Sequence, residues 1–272
     1  MTEGYRWVLV VDMAIPEEDL RRLSSLTKVT VIDHHVQPLL TGIHHINPIA
    51  EGGNSEDYPA CTWVVNTLLG NPLNIFTVLG IIGDQGSNVK ENLRFWPMIQ
   101  TYMTQTNISF EDLERMVNLI DSSFRLGNRK AVDESPQFLQ RLVDAGEILT
   151  NKDWIRNLKA IDDEIRRVLS EPTPKILGIA MKLFASKANI ISTIARELSW
   201  KQGLDCIVVN KGFFPDANQI YARSPRKDMT PMIKLGVFKG FSIGGKKDVI
   251  GAVVPKDKTE EYVQDIVEYL LK

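Results

Sequence analysis

Apolar and polar positions change their period along this chain, and the changes mark out its elements. Short, nearly continuous apolar runs at 6–11 and 28–32 have the length and the Val and Ile content of buried strands. Between them Pro16 precedes Glu17, Glu18 and Asp19. Proline suits the first turn of a helix and acids suit its positive end, so a helix is expected to open there. A short extended piece follows at 42–46, then a loop rich in Gly, Asn and Ser over 47–57. Residues 60–69 and 75–82 read as helices with buried faces. Two adjacent strand–helix units with apolar strands predict a parallel, doubly wound sheet.

From 109 to 169 apolar residues recur every three or four positions, through Met116, Leu119 and Ile120 and again through Leu139, Leu142 and Val143. This predicts a helical segment. Ser109 ahead of Glu111 and Asp112 has the form of a capped helix start. The prolines of Ser170-Glu171-Pro172-Thr173-Pro174 end the helix expected at 155–169 and mark a linker. Strands are then expected at 175–180, 205–209 and 219–223, with a helix at 189–202. Further strands at 237–243 and 249–254 flank Gly244-Gly245, and an amphipathic helix closes the chain at 259–271. The expected fold class is α/β. A doubly wound parallel-sheet domain with a helical segment covers 1–170, a linker 171–174, and a smaller α/β domain 175–272.

With 272 residues, 43% hydrophobic and 24% charged, the composition is that of a soluble globular protein with a sizeable core. No apolar run reaches the roughly 18–20 residues that span a bilayer, and no membrane partner is expected. Met1-Thr2-Glu3-Gly4-Tyr5-Arg6 matches neither a signal nor a transit peptide. Cys61 and Cys206 each lie in an apolar segment and read as buried free thiols of a reducing, cytoplasmic compartment. Charge is uneven. Residues 173–272 hold 16 Lys and Arg against 10 Asp and Glu, which leaves the first 172 residues at −8 within a total of −2. An acidic half suits metal and a basic half suits phosphate.

Chemistry concentrates where the apolar runs end. Asp12 closes the run Val8-Leu9-Val10-Val11, and Asp33-His34-His35 closes Val29-Thr30-Val31-Ile32. Asp84 follows Leu79-Gly80-Ile81-Ile82-Gly83. Open α/β sheets place their sites at the carboxyl edge. A carboxylate–imidazole–carboxylate set of Asp12, His34 and Asp84 at strand ends suits Mn²⁺ or Mg²⁺, one ion or two, better than structural zinc. His35 is then placed to hydrogen-bond or protonate a phosphoryl oxygen, and Asp33 to orient an imidazole. His44-His45 is assigned a structural or surface role, and Cys61 has no base partner. A second constellation is Arg223 and Arg226 with Gly244, Gly245, Lys246 and Lys247, where paired glycines admit an anion and the cations hold it.

These residues resemble the motifs of the DHH phosphoesterase superfamily, which includes RecJ-type exonucleases, oligoribonuclease-type nucleases, exopolyphosphatases and family II inorganic pyrophosphatases. The chain is most similar to the archaeal-type branch with a DHH domain and a DHH-associated C-terminal domain, over nearly its whole length. Asp12 resembles the family's second motif, whose Asp bridges two Mn²⁺ ions. Asp33-His34-His35 resembles the third, in which the first His is a ligand and the second faces phosphate. Asp84 in Gly83-Asp84 resembles the fourth. Gly244-Gly245 through Gly251-Ala252 resembles the C-terminal glycine-rich substrate motif, although Lys246, Lys247 and Asp248 stand where that motif usually carries a His. The first motif, His-x-x-Asp-x-Asp-Gly, does not occur, and its strand and helix are expected ahead of Met1. The start is therefore cut, misassigned, or that of a naturally degenerate member.

The resemblance implies a metal-dependent phosphoesterase acting on nucleotides, short oligonucleotides or single-strand ends. The alternative is a catalytically degenerate DHH scaffold in a replication or repair complex of the GINS-associated type. A homodimer is compatible with either. A single-strand binder that stacks bases has little support, since the basic segments offer only Tyr221, Phe238 and Phe241.

Overall fold

The computed structural model describes residues 5–272 apart from Ala14, Val36, Pro38 and Trp200. The first four residues, part of the stretch read as no leader peptide, and residue 200, in the helix expected at 189–202, lie outside the described residues. Two compact units divide at Asn118 and Leu119.

The first unit begins with β1 (Trp7–Val11), α1 (Glu17–Ser24), β2 (Lys28–Ile32) and β3 (His44–Ile46). The strands form a parallel sheet in the order β1-β2-β3, with Val11 opposite Ile32 and Ile32 opposite Ile46. Val10, Val29 and Val31 are buried together with Leu20 of α1 and Leu40. The expectation of a buried strand at 6–11 changes: β1 is at the edge of this sheet, Val10 alone of its residues is buried, and Trp7, Leu9 and Val11 on alternate positions are exposed. Glu17, Glu18 and Asp19 occupy the first turn of α1, and Arg21 and Arg22 its last, so charge follows the dipole at both ends. Helices α2 (Cys61–Leu68), α3 (Ile75–Gln85) and α4 (Phe95–Thr106) follow, then α5 (Phe110–Arg125).

The second unit contains α6 (Arg129–Leu139), α7 (Gly146–Thr150), α8 (Lys152–Ser170) and a six-stranded sheet. Its strands are β4 (Lys175–Ile176), β5 (Ile179–Phe184), β6 (Cys206–Asn210), β7 (Ala217–Arg223), β8 (Ser242–Lys246) and β9 (Val249–Pro255), in the order β4-β5-β6-β7-β9-β8. Only β5 and β6 pair in parallel. Alternation along β6 builds two cores. Cys206 and Val208 pack with Ile191, Ile194 and Leu198 of α9 (Ile191–Ser199) and with Ile161 and Val168 of α8. Ile207 and Val209 pack with Met232 of α10 (Thr230–Phe238) and with Tyr262, Ile266 and Leu270 of α11 (Thr259–Leu271). The chain is a mixed α/β protein, and no helix among the described residues is long and apolar enough to cross a membrane.

Two local expectations change. The strand expected at 175–180 is a hairpin that reverses at Leu177 (φ +51°) and Gly178 (φ +86°), a geometry that the missing Cβ of Gly178 permits. Val237 and Phe238 end helix α10 rather than start a strand, because a short apolar run fits either period. The glycine pair therefore lies within β8, not between strands, and the turn falls on Lys247 and Asp248. A Cβ on Gly245 would stand 2.1 Å from the Val249 carbonyl oxygen, so the β8–β9 pairing needs glycine there.

Candidate metal centre

Strand β2 delivers Asp33, His34 and His35 immediately after Ile32. The Asp33 amide donates to the Ile46 carbonyl at 3.0 Å, which continues the ladder into the tripeptide. Beside it the Asp12 amide donates to the Ile32 carbonyl at 3.0 Å, and Asp12 takes φ +60°. Asp is among the few residues that accept this left-handed conformation, and the turn lifts its carboxylate off the end of β1. Asp84 comes from the last turn of α3, not from a strand end.

The three groups converge. His34 Nε2 lies 3.4 Å from Asp12 Oδ1 and 3.3 Å from Asp84 Oδ2. His34 Nδ1 donates to the Tyr58 carbonyl at 3.1 Å. That bond fixes the ring and leaves Nε2 facing the carboxylates, as in a metal-ligating histidine held by a backbone acceptor. The Tyr58 loop is itself tied to α3, since Gln85 Nε2 donates to the Pro59 carbonyl at 3.1 Å. The two carboxylates push His34 up to about 10, and the His34 hydrogen bond lowers Asp12. His35 brings a ring nitrogen into the same cluster, within 4.8 Å of the donor atoms of Asp12 and His34.

Behind the cluster Asp33 is fully buried. Its Oδ1 accepts from His35 Nδ1 at 2.7 Å and its Oδ2 from Gln37 Nε2 at 2.6 Å. Asn47, also buried, donates to the His35 carbonyl at 2.9 Å. His45 is buried, accepts from the Leu40 amide at 3.2 Å, and is lowered by that burial, whereas His44 is exposed. Cys61 donates to the Ile32 carbonyl, and burial pushes its thiol up to about 12. Nothing in the sequence singles out Tyr58, Gln37 or Asn47, because a carbonyl or an amide in a loop carries no periodic or charge signal.

No family model matches the sequence, and no curated protein matches it. Solved structures do match. RecJ from Thermus thermophilus in complex with Mn²⁺ aligns with a TM-score of 0.66 at 16% identity, over 98% of this chain and 45% of that one. The DHH domain of a protein assigned to a family of ribosomal proteins aligns at 0.65 and 17%, over 98% and 70%. The chain has the fold of the DHH superfamily. An exonuclease RecJ bound to manganese shares it at a TM-score of 0.61 and 15% identity, over 99% of this chain and 76% of that one.

In the second unit, the residues expected to hold substrate divide into two groups. Gly244 lines an open cavity of about 550 Å³ together with Asn189, Ser192, Gln219, Tyr221 and Gly251. Lys246 and Lys247 follow it at the exposed end of β8. Arg223 is buried and paired with Asp248 at 2.5 Å, and Arg226 is paired with the buried Asp205 at 2.5 Å. The two arginines therefore hold the 223–227 segment in place.

Proposed function

We propose that this chain is a metal-dependent phosphoesterase that hydrolyses phosphodiester or phosphoanhydride bonds in nucleotides, short oligonucleotides or single-strand ends. The observation that carries this reading is His34 Nε2 facing Asp12 and Asp84 while Nδ1 is committed to Tyr58. The donors suit a hard divalent ion. Ligand atoms about 2.1 Å from one ion, at right angles, lie about 3 Å apart, close to the 3.3 and 3.4 Å found. Two carboxylates also balance the charge of one Mn²⁺ or Mg²⁺, and RecJ structures with either ion support that choice.

Such an ion, when bound, polarises a phosphoryl oxygen and lowers the pKa of a water. Asp12, His34 and Asp84 hold it. Asp33 keeps His35 Nδ1 occupied, so that Nε2 is the nitrogen offered to a phosphoryl oxygen. Gly244, Gly245, Lys246 and Lys247 bind substrate phosphates, and Arg223 and Arg226, paired with Asp248 and Asp205, hold the 223–227 segment. In the same reading 1–170 forms the metal domain, 171–174 the linker and 175–272 the substrate-binding domain.

The test is calorimetric titration of Mn²⁺ into the wild type and His34→Ala, with cleavage of a 5′-labelled short oligonucleotide followed in the same samples. Mn²⁺-dependent cleavage is expected in the wild type, and loss of both binding and cleavage in the variant. Cleavage that survives in His34→Ala overturns the reading. Among the described residues the donors amount to one ion's set. That count favours a second reading, a non-catalytic DHH scaffold in a replication or repair complex. Recovery of replisome partners in a pull-down, with neither metal binding nor cleavage, would decide for it.

A further inference from the structure

Both oxygens of the Asp33 carboxylate are taken, one by His35 and the other by Gln37. We infer that Gln37 is a positioning residue for His35, acting through Asp33; the reaction it serves is the phosphoester hydrolysis proposed above.

A buried carboxylate bonded through one oxygen can still turn about its Cβ–Cγ bond. The second bond, 2.6 Å from Gln37 Nε2 to Asp33 Oδ2, fixes the carboxylate plane and so the direction in which Oδ1 meets His35 Nδ1. The amide can face Asp33 only through its NH₂ group, since its oxygen would set two acceptors against each other. An uncharged donor also matters. A lysine or arginine at 37 would draw the Asp33 charge into an ion pair of its own and weaken the bond to His35. A glutamate would repel it. His45, kept neutral by burial, stands behind the amide with its Nε2 3.5 Å from Gln37 Nε2.

The main chain of His35 is held separately. Asn47 Nδ2 donates to the His35 carbonyl, and Asn47 Oδ1 accepts from the Ile49 and Ala50 amides. Losing the Gln37 bond therefore frees the His35 ring without freeing its backbone. Metal ligation by Asp12, His34 and Asp84 includes no atom of Gln37.

The experiment uses the full chain and the variants Gln37→Met, which keeps length and removes the donor, and Gln37→Glu, which keeps shape and reverses the interaction. Ring-nitrogen NMR of ¹⁵N-histidine-labelled, metal-free protein at one fixed pH reports the His35 tautomer. The wild type is expected to hold the proton on Nδ1 in a strong hydrogen bond, and both variants to lose that signature. Loaded with Mn²⁺, the variants should lose roughly tenfold in kcat, with KM and calorimetric Mn²⁺ affinity unchanged. Unaltered His35 ring nitrogens in either folded variant overturn the inference, as does a loss of Mn²⁺ affinity equal to the loss in kcat. The NMR arm needs no turnover. A wild type that hydrolyses nothing strikes the phosphoesterase reading, and unaltered ring nitrogens strike this one.

Discussion

Asp84 Oδ2 stands 3.3 Å from His34 Nε2. Asp84 lies in the last turn of α3, where the helix dipole disfavours a negative charge. Its position is explained by what it faces. In the metal-free protein the positive group opposite it is protonated His34, and with an ion bound it is the ion. In the proposed function, proton and metal compete for one nitrogen.

The competition has a pH signature. Asp12 and Asp84 raise His34 from 6.5 to about 10. A raised folded-state pKa contributes stability that is complete below 6.5 and is lost as pH rises through 10. The Tm of metal-free protein should therefore fall between pH 7 and pH 10, and His34→Gln should flatten that slope. Metal binding at pH 7–8 should release about one proton per ion, read by calorimetry in buffers of different ionisation enthalpy. No proton release would remove His34 from the ligand set.

Asp33→Asn tests the buried carboxylate. An amide there sets a donor against either His35 Nδ1–H or Gln37 Nε2–H. Leaving a buried donor unpaired should cost about 1–3 kcal/mol, measured by urea unfolding of the metal-free chain. An unchanged midpoint would mean that water reaches this pair.

The two glycines of β8 should behave differently. Gly245→Ala drives a Cβ to 2.1 Å from the Val249 oxygen, whereas a Cβ on Gly244 meets nothing within 4 Å. Forcing extra volume into tight packing costs about 1–3 kcal/mol, so Gly245→Ala should lower Tm while Gly244→Ala leaves it nearly unchanged. Equal Tm values would mean that β8 shifts freely against β9.

Burial pushes both thiols up to about 12. Cys61 and Cys206 should therefore resist an aromatic disulfide probe at pH 8 and react only on unfolding. Rapid labelling of one thiol in the native protein would show that its segment opens.

Asp12 and His34 are legible in the sequence because Asp12 and the Asp33-His34-His35 tripeptide each close a short Val- and Ile-rich run that reads as a strand, although β1 leaves Trp7, Leu9 and Val11 exposed. Asp84 is legible as a residue, but the set is expected at strand ends. The helix expected at 75–82 is α3, which runs on to Gln85 and carries Asp84 in its last turn, so only the placing of that acid at a strand end changes. The strands β2 and β6 and the helix α11 are legible because their periods are clean. The β4–β5 hairpin is not, because Ile176-Leu177-Gly178-Ile179 is apolar throughout and its reversal rests on backbone angles alone. Gln37 and Asn47 matter through single hydrogen bonds, which leave no pattern in composition.

The acceptor that orients His34 belongs to the peptide backbone of Tyr58. No replacement of the residue 58 side chain removes that carbonyl. What the site inherits there is a path of the chain, shaped by the Asn54 cap on the Glu56 amide and by the fixed φ of Pro59. An insertion or deletion between 54 and 60 would move the carbonyl and do what no point substitution at 58 can. The geometry of this part of the centre is therefore written in the length and path of the loop rather than in the side chain at 58.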